Sequence, residues 1–133
     1  MNRFVPRAAA AGCILAACLV PALASAGKTF SRPVSITSFG TVGGEFFGTL
    51  SATRASSDAD ASMGCEVQST ASGAPWIMCN AYTSTQGAAC HSASPQLAAA
   101  LVGVNQASYM LVEYDGQANC TNIWVENRSD YLP

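Results

Sequence analysis

Four cysteines, Cys65, Cys79, Cys90 and Cys120, follow a long apolar N-terminal run, and their spacing limits the chemistry they can do. Cysteine-based zinc sites usually contain paired Cys-x-x-Cys spacing or several histidines, and this chain has neither. In an exported protein these cysteines are expected to form two disulfides. Four cysteines allow three pairings, which sequence alone does not select. We favour Cys65 with Cys79 and Cys90 with Cys120, because the first pair flanks a predicted hairpin turn at residues 71–75.

His91 is the single histidine and therefore the main candidate for a general base. Its neighbour Cys90 is expected to be oxidised and unavailable as a nucleophile. The chain also lacks a Gly-x-Ser-x-Gly nucleophile elbow. We therefore predict no catalytic residue, and a small secreted hydrolase using His91 is kept as an alternative.

Asp58 and Asp60 are two carboxylates that lie close together in the sequence. Paired carboxylates can hydrolyse glycosides when they line a cleft, but a loop between strands favours a solvated turn. A calcium loop is excluded, because Met63 occupies the position that requires glycine and Ser69 the position that requires a bidentate glutamate. No metal and no cofactor are predicted.

Residues 1–26 are typical of an export signal. Arg3 and Arg7 supply the positive charge, an apolar run extends over residues 8–23, and Ala24-Ser25-Ala26 provides a cleavage site. The prediction is a signal peptide at residues 1–26 and a single exported, disulfide-stapled domain at residues 27–133. The expected location is secreted or periplasmic.

Two other interpretations of the leader have to be weighed. A membrane span needs roughly 20 apolar residues, whereas this run is shorter and is broken by Pro21. A lipid anchor at Cys18 is the stronger alternative, because Leu15-Ala16-Ala17-Cys18 has the form of a bacterial lipoprotein site. No membrane span is predicted, and the lipoprotein alternative stays open.

The composition also excludes a class of partner. Charged residues make up 11 % of the chain, against roughly 25 % in an ordinary soluble domain. Residues 27–133 contain four basic and eight acidic residues, which gives a net charge of −4 with His91 neutral. The basic residues are scattered, so nucleic acid is not expected as a partner.

The sequence predicts an α+β fold, with a small antiparallel sheet built from hairpins and one helix packed on it. Strands are predicted from Phe30 to Ile36 and from Glu45 to Thr53, separated by a glycine-rich corner at residues 40–44 and followed by a polar loop at 54–61. Alternation of apolar residues predicts a hairpin that pairs residues 63–67 with residues 77–81.

A helix is predicted to begin at Pro95, with Ser94 as its N-cap, and to extend to about Gln106. Its apolar stripe contains Leu97, Leu101 and Val104. A last hairpin is expected from Tyr109 to Tyr114 and from Cys120 to Glu126. One face of it is apolar enough to pack under the helix and holds Met110, Val112, Tyr114, Thr121, Ile123 and Val125. The other face holds Tyr109, Leu111, Glu113, Cys120, Asn122, Trp124 and Glu126.

Several short segments resemble a group of small exported bacterial proteins of unassigned function that carry four cysteines in the mature chain. These segments are Gly64-Cys65-Glu66-Val67, Cys79, residues 90–95, Ser108-Tyr109 through Asp115, Cys120-Thr121 and Tyr131-Leu132-Pro133. The resemblance covers roughly the last 90 residues. Its specific feature is the spacing of four cysteines around one helix, which is the kind of pattern that defines a disulfide framework. It implies a bacterial source and transfers no catalytic residue, ligand or partner.

The remaining indication of function comes from the aromatic residues of the two hairpins. Trp76 and Tyr82, with Met78, fall on the second face of the first hairpin, and Tyr109 and Trp124, with Leu111, on the second face of the last. If the two hairpins align, they form one exposed patch suited to a protein or glycan partner. The competing interpretation is that part of this set is core. The sequence thus favours an exported, non-catalytic binding or inhibitory module, with a passive component of the cell envelope as a further alternative.

Overall fold

A computed structural model describes residues 30–69, 71 and 73–131. The predicted signal peptide and Cys18 lie outside the described residues. Within these ranges the chain forms seven strands and two short α-helices. The strands are β1 (Ser35–Ser38), β2 (Gly43–Thr49), β3 (Ser62–Gln68), β4 (Trp76–Tyr82), β5 (Gly87–Ser92), β6 (Ser108–Asp115) and β7 (Cys120–Asn127); the helices are α1 (Leu50–Arg54) and α2 (Pro95–Ala100).

The strands form two antiparallel sheets rather than the single small sheet predicted. One has the order β1-β2-β6-β7 and the other the order β3-β4-β5. Hairpins and antiparallel pairing are therefore confirmed, whereas the one-helix, one-sheet description fits only roughly. Hairpin signals are local, and they do not specify which hairpins share hydrogen bonds.

The hairpin of β3 and β4 matches its sequence prediction. Cys65 lies opposite Cys79, and the ladder extends from Ser62 opposite Tyr82 to Gln68 opposite Trp76. Alternate residues of β4 are completely buried, because the side chains of a strand point to opposite faces in turn. β5 pairs with the other edge of β4 and makes it the central strand.

The hairpin of β6 and β7 contains an irregularity that changes one predicted face. Glu113 lies opposite Asn122, but Tyr114 lies opposite Cys120, so Thr121 is an extra residue in β7. Such a bulge reverses the alternation beyond it. Cys120 is consequently buried and Thr121 exposed, the opposite of the prediction from regular alternation.

Two predicted strands at the beginning of the domain were placed wrongly. β1 covers Ser35–Ser38 rather than residues 30–36, and the segment predicted to end at Thr53 leaves the sheet after Thr49 and forms α1. A pattern over so few residues does not separate a single helical turn from the end of a strand. The glycine-rich corner is confirmed. Gly43 has φ +123°, and a Cβ there would overlap the Tyr114 carbonyl oxygen.

Helix α2 begins as predicted but is shorter. The Ser94 side chain accepts a hydrogen bond from the Leu97 amide, and Pro95 occupies the first turn. The helix ends at Ala100 rather than near Gln106. Gly103, with φ +94°, adopts a left-handed conformation that turns the chain out of the helix. None of the helices in the described part of the chain is long and apolar enough to cross a membrane.

The two sheets share one hydrophobic core. Ile77, Cys79 and Ala81 from β4 lie in the same buried cluster as side chains from β2, β6 and β7, among them Phe46 and Met110. The predicted helical stripe of Leu97, Leu101 and Val104 packs against this cluster. The inner faces of the two sheets therefore cover each other, and the sheets also meet at one edge, where the His91 amide donates a hydrogen bond to the Ala118 carbonyl oxygen at 3.0 Å.

Both predicted disulfides are confirmed. Cys65–Cys79 joins neighbouring strands of the three-stranded sheet, and Cys90–Cys120 joins β5 of that sheet to β7 of the other. Cys79, Cys90 and Cys120 are buried, so the two bridges lie inside the shared core. Only the second bridge links the two sheets covalently.

Removing the bridges separately should have unequal effects. The bonded residues are 14 positions apart in Cys65–Cys79 and 30 apart in Cys90–Cys120, which gives about 3 and about 4 kcal/mol of stabilisation from chain entropy. Urea unfolding of the Cys65→Ala/Cys79→Ala and Cys90→Ala/Cys120→Ala variants measures both losses. We expect the inter-sheet variant to lose more, and an equal or greater loss in the other variant would contradict this.

Candidate functional site

The cysteines in this structure offer no nucleophile or metal ligand. The sulfur atoms of Cys79, Cys90 and Cys120 lie within 4.8 Å of one another, a spacing that would suit a metal ion if they were thiolates. All three are bonded in disulfides, and a thiolate is needed for either role. Their proximity therefore reflects core packing around two adjacent bridges.

His91, the candidate base, is built into the sheet rather than into a catalytic array. Its ring stacks on Trp76, with the ring centroids 5.0 Å apart and an interplanar angle of 22°. Among the described residues its side chain makes no hydrogen bond to a nucleophile or a carboxylate. Asp115 lies close enough for His91 to affect it, but its pKa is lowered chiefly by hydrogen bonds from Asn119, which hold the carboxylate. The geometry gives His91 a packing role beside Trp76.

Asp58 is a loop anchor, as its predicted turn role implied. Its Oδ2 accepts hydrogen bonds from the Ser84 amide at 2.9 Å and from the Ser84 hydroxyl at 3.1 Å, and its Oδ1 accepts one from the Asp60 amide at 3.0 Å. These bonds connect the loop before β3 to the turn between β4 and β5. They lower the pKa of Asp58, the Ser84 amide contributing most. Asp58 thus holds two loops together, and Asp58 and Asp60 do not form a two-carboxylate cleft.

Tyr109 belongs to an aromatic cluster on the outer face of the four-stranded sheet. It lies 6.4 Å from Phe47 and 5.9 Å from Tyr131, measured between ring centroids. The Arg32 guanidinium lies 5.6 Å from the centre of the Phe47 ring, and the Tyr131 hydroxyl donates to Glu126 at 2.7 Å. Burial raises the pKa of Tyr109. Its ring therefore packs between the sheet and Tyr131, near the C-terminal end of the described chain.

Trp124 lies on the same outer face and is 57 % exposed, opposite Leu111 on β6. Trp76 and Tyr82 lie on the outer face of the other sheet. The two groups lie on different sheets, and among the described residues no aromatic contact joins them. The one patch considered from sequence becomes two separate surfaces.

The outer face of the three-stranded sheet is the more developed of these surfaces, and we call it the Trp76 face. Trp76, Met78 and Tyr82 on the central strand are 43, 46 and 47 % exposed, whereas Ile77, Cys79 and Ala81 point into the core. The register places the following residues on this face: Ser62, Gly64, Glu66 and Gln68 on β3, Trp76, Met78, Asn80 and Tyr82 on β4, and Gly87, Ala89 and His91 on β5.

The two aromatic rings of the Trp76 face are held by different contacts. Trp76 stacks on His91, and Tyr82 lies over Gly87, where a Cβ would come 2.8 Å from the Tyr82 ring. Six residues along a strand separate the two rings by about 20 Å. Sequence alternation was sufficient to find Trp76 and Tyr82, but it did not reveal His91 and Gly87 as their supports, because those contacts require the register of β5.

Around the row of Trp76, Met78 and Tyr82, the Trp76 face is mainly polar and almost uncharged. Gln68 lies opposite Trp76 and donates to Glu66 at 2.7 Å, and Asn80 lies between Met78 and Tyr82 on the central strand. Glu66 is the one carboxylate on this face. Small residues on both flanking strands leave the strip between the rings open.

Comparison with known proteins identifies no relative: no protein-family model, no curated protein and no solved structure matches the chain. The resemblance to small exported bacterial proteins stays a prediction.

Replacing Asp58 with Asn should make the folded state less stable in a pH-dependent way. The folded-state pKa is lowered, so the ionised carboxylate stabilises the fold above its unfolded pKa of about 3.9 and ceases to do so as the pH falls through the folded value. We expect Asp58→Asn to lower Tm at pH 7 and to match the wild type at pH values below the folded pKa. Asp60→Asn is the control, since only the Asp60 backbone takes part in these bonds. A Tm difference that persists unchanged into acid would contradict the assignment.

Proposed function

We propose that this protein is a non-catalytic binding module that holds a neutral glycan on the Trp76 face. The observation that carries the proposal is the row of Trp76, Met78 and Tyr82 on the solvent side of a central strand. A large exposed apolar row in a small domain is a feature of interaction sites. The same strand buries Ile77, Cys79 and Ala81 completely, so the exposed row rests on a fixed support.

The shape of the face favours an extended ligand with flat apolar surfaces. Tryptophan and tyrosine combine a planar apolar body with a hydrogen-bonding edge, which suits them to stacking on sugar rings. With about 20 Å between the two rings, a short oligosaccharide would contact both. The open strip between them, bordered by Gly64 and Ala89, gives such a chain room to lie on the sheet.

The polar groups of the face favour a neutral ligand. Asn80, Gln68 and Ser62 offer amide and hydroxyl groups that can both donate and accept hydrogen bonds, as sugar hydroxyls do. No lysine or arginine lies on the face, so an anionic polymer would find no counter-charge there. A protein partner is the competing occupant, because tryptophan, tyrosine and methionine are also enriched in protein interfaces. The amide-rich, nearly uncharged surround favours the glycan.

The predicted export is consistent with this role. A leader at residues 1–26 would deliver the module to a compartment where polysaccharides are exposed. In that compartment two disulfides would keep the sheet rigid. A rigid sheet holds both aromatic rings in place before the ligand arrives, which reduces the entropy lost on binding.

The direct test compares two tryptophan variants on a panel of immobilised neutral polysaccharides, namely cellulose, chitin, xylan and starch. Trp76→Ala should weaken retention on the polysaccharide that binds by at least about tenfold, as expected for an aromatic residue at the centre of a binding surface. Trp124→Ala is a matched control, because it removes the only other tryptophan, which is also exposed but lies on the other sheet. Retention of none of the four, or equal retention by both variants, would contradict the proposal.

A second variant tests the role of Tyr82 without removing its ring. Gly87→Ala places a Cβ 2.8 Å from Cδ1 and 3.0 Å from Cε1 of Tyr82, so the ring must move. We expect weaker retention on the same polysaccharide with the far-ultraviolet circular dichroism of the wild type. Thr121→Ala, which changes an exposed residue of the other sheet, is the control. Unchanged retention by Gly87→Ala would exclude Tyr82 from the site.

A further inference from the structure

A pocket of about 500 Å³ opens between α1, the beginning of β3 and the segment that follows α2. Its lining residues are Leu50, Thr53, Arg54, Ala61, Ser62, Met63, Val104, Asn105 and Gln106. Of these, Ser62 alone also belongs to the Trp76 face. The volume lies in the range of small-molecule sites. A ligand bound in this pocket would not require a glycan on the Trp76 face.

Thr53 lines this pocket and carries a buried polar atom without a partner. The residue is 4 % exposed, and its Oγ1 has no hydrogen-bond partner among the described residues. A buried hydroxyl without a partner destabilises the folded state, because water satisfied it in the unfolded chain. Its side chain has two accessible χ1 rotamers in a helix, and a rotation between staggered positions redirects the hydroxyl. A ligand in the pocket could therefore supply the hydrogen-bond partner that the Thr53 hydroxyl lacks.

The pocket also has a cation at its rim. Arg54 is exposed at the last position of α1, and in the described part of the chain its guanidinium makes no ion pair. Arginine binds carboxylates through two parallel hydrogen bonds. Leu50, Met63 and Val104 provide the apolar part of the lining, and each packs on the hydrophobic core.

We propose that this pocket binds a small amphipathic carboxylic acid. Its hydrocarbon part would lie on Leu50, Met63 and Val104, and its carboxylate would pair with Arg54 and accept a hydrogen bond from the Thr53 hydroxyl. A single cation beside an apolar wall fits a monocarboxylate better than a multiply charged anion. The pocket therefore differs from the Trp76 face in both the charge and the size of its ligand.

Octanoate and octanol provide matched probes, because they share a hydrocarbon chain and differ in the head group. Each is titrated into the oxidised protein at pH 7, and the methyl resonances of Leu50, Met63 and Val104 are followed by NMR. We expect saturable shifts with both probes and about tenfold tighter binding of octanoate, as one charge-assisted contact provides. The absence of saturable shifts at these methyl groups would overturn the proposal.

Three variants assign the parts of the site. Arg54→Gln should remove the preference for octanoate while leaving octanol binding unchanged. Arg128→Gln, which alters an arginine outside the pocket, should retain the preference.

Thr53→Val removes the unpaired hydroxyl at constant shape, so we expect a higher Tm without ligand and severalfold weaker octanoate binding. Wild-type octanoate affinity in both Arg54→Gln and Thr53→Val would overturn the assignment.

Discussion

The covalent link between Cys90 and Cys120 is the constraint on which the arrangement of this protein depends. It joins β5 of one sheet to β7 of the other inside the core, next to the Cys65–Cys79 bridge. A domain of this size buries a modest share of its surface, so covalent links replace part of the missing hydrophobic stabilisation. The bridge holds the inner faces of the two sheets together, so the outer face of each sheet is a surface of its own.

This separation gives the two outer faces different roles. On the four-stranded sheet, Tyr109, Phe47 and Tyr131 contact one another and Arg32, so their aromatic surface is used to hold the ends of the described chain. On the three-stranded sheet, Trp76 and Tyr82 rest on His91 and Gly87 and keep a large exposed area. The same residue types therefore pack against one another on the first sheet and stay largely exposed on the second.

Local signals in the sequence were sufficient for local structure. The period-2 pattern around Cys65 and Cys79 predicted their hairpin and bridge, and Ser94-Pro95 predicted the start of α2, because each depends on neighbouring residues. The division into two sheets, the bulge at Thr121 and the helical turn after Thr49 depend on distant partners and were not predicted. For the site, alternation identified Trp76 and Tyr82, but the burial of Tyr109 depends on Phe47 and Tyr131, and the Thr53 pocket depends on residues fifty positions apart. No pattern in a single sequence reports such contacts.

The two tryptophans provide the most direct test, since one lies on each outer face and each has one indole N–H resonance. Titration of the oxidised protein with soluble oligomers of the polysaccharide that retains it would follow both signals in a single NMR experiment. If the glycan binds the three-stranded sheet, we expect a saturable shift of the Trp76 signal and a stationary Trp124 signal. A shift of Trp124 alone, or of neither tryptophan under saturating ligand, would contradict the assignment of binding to that sheet.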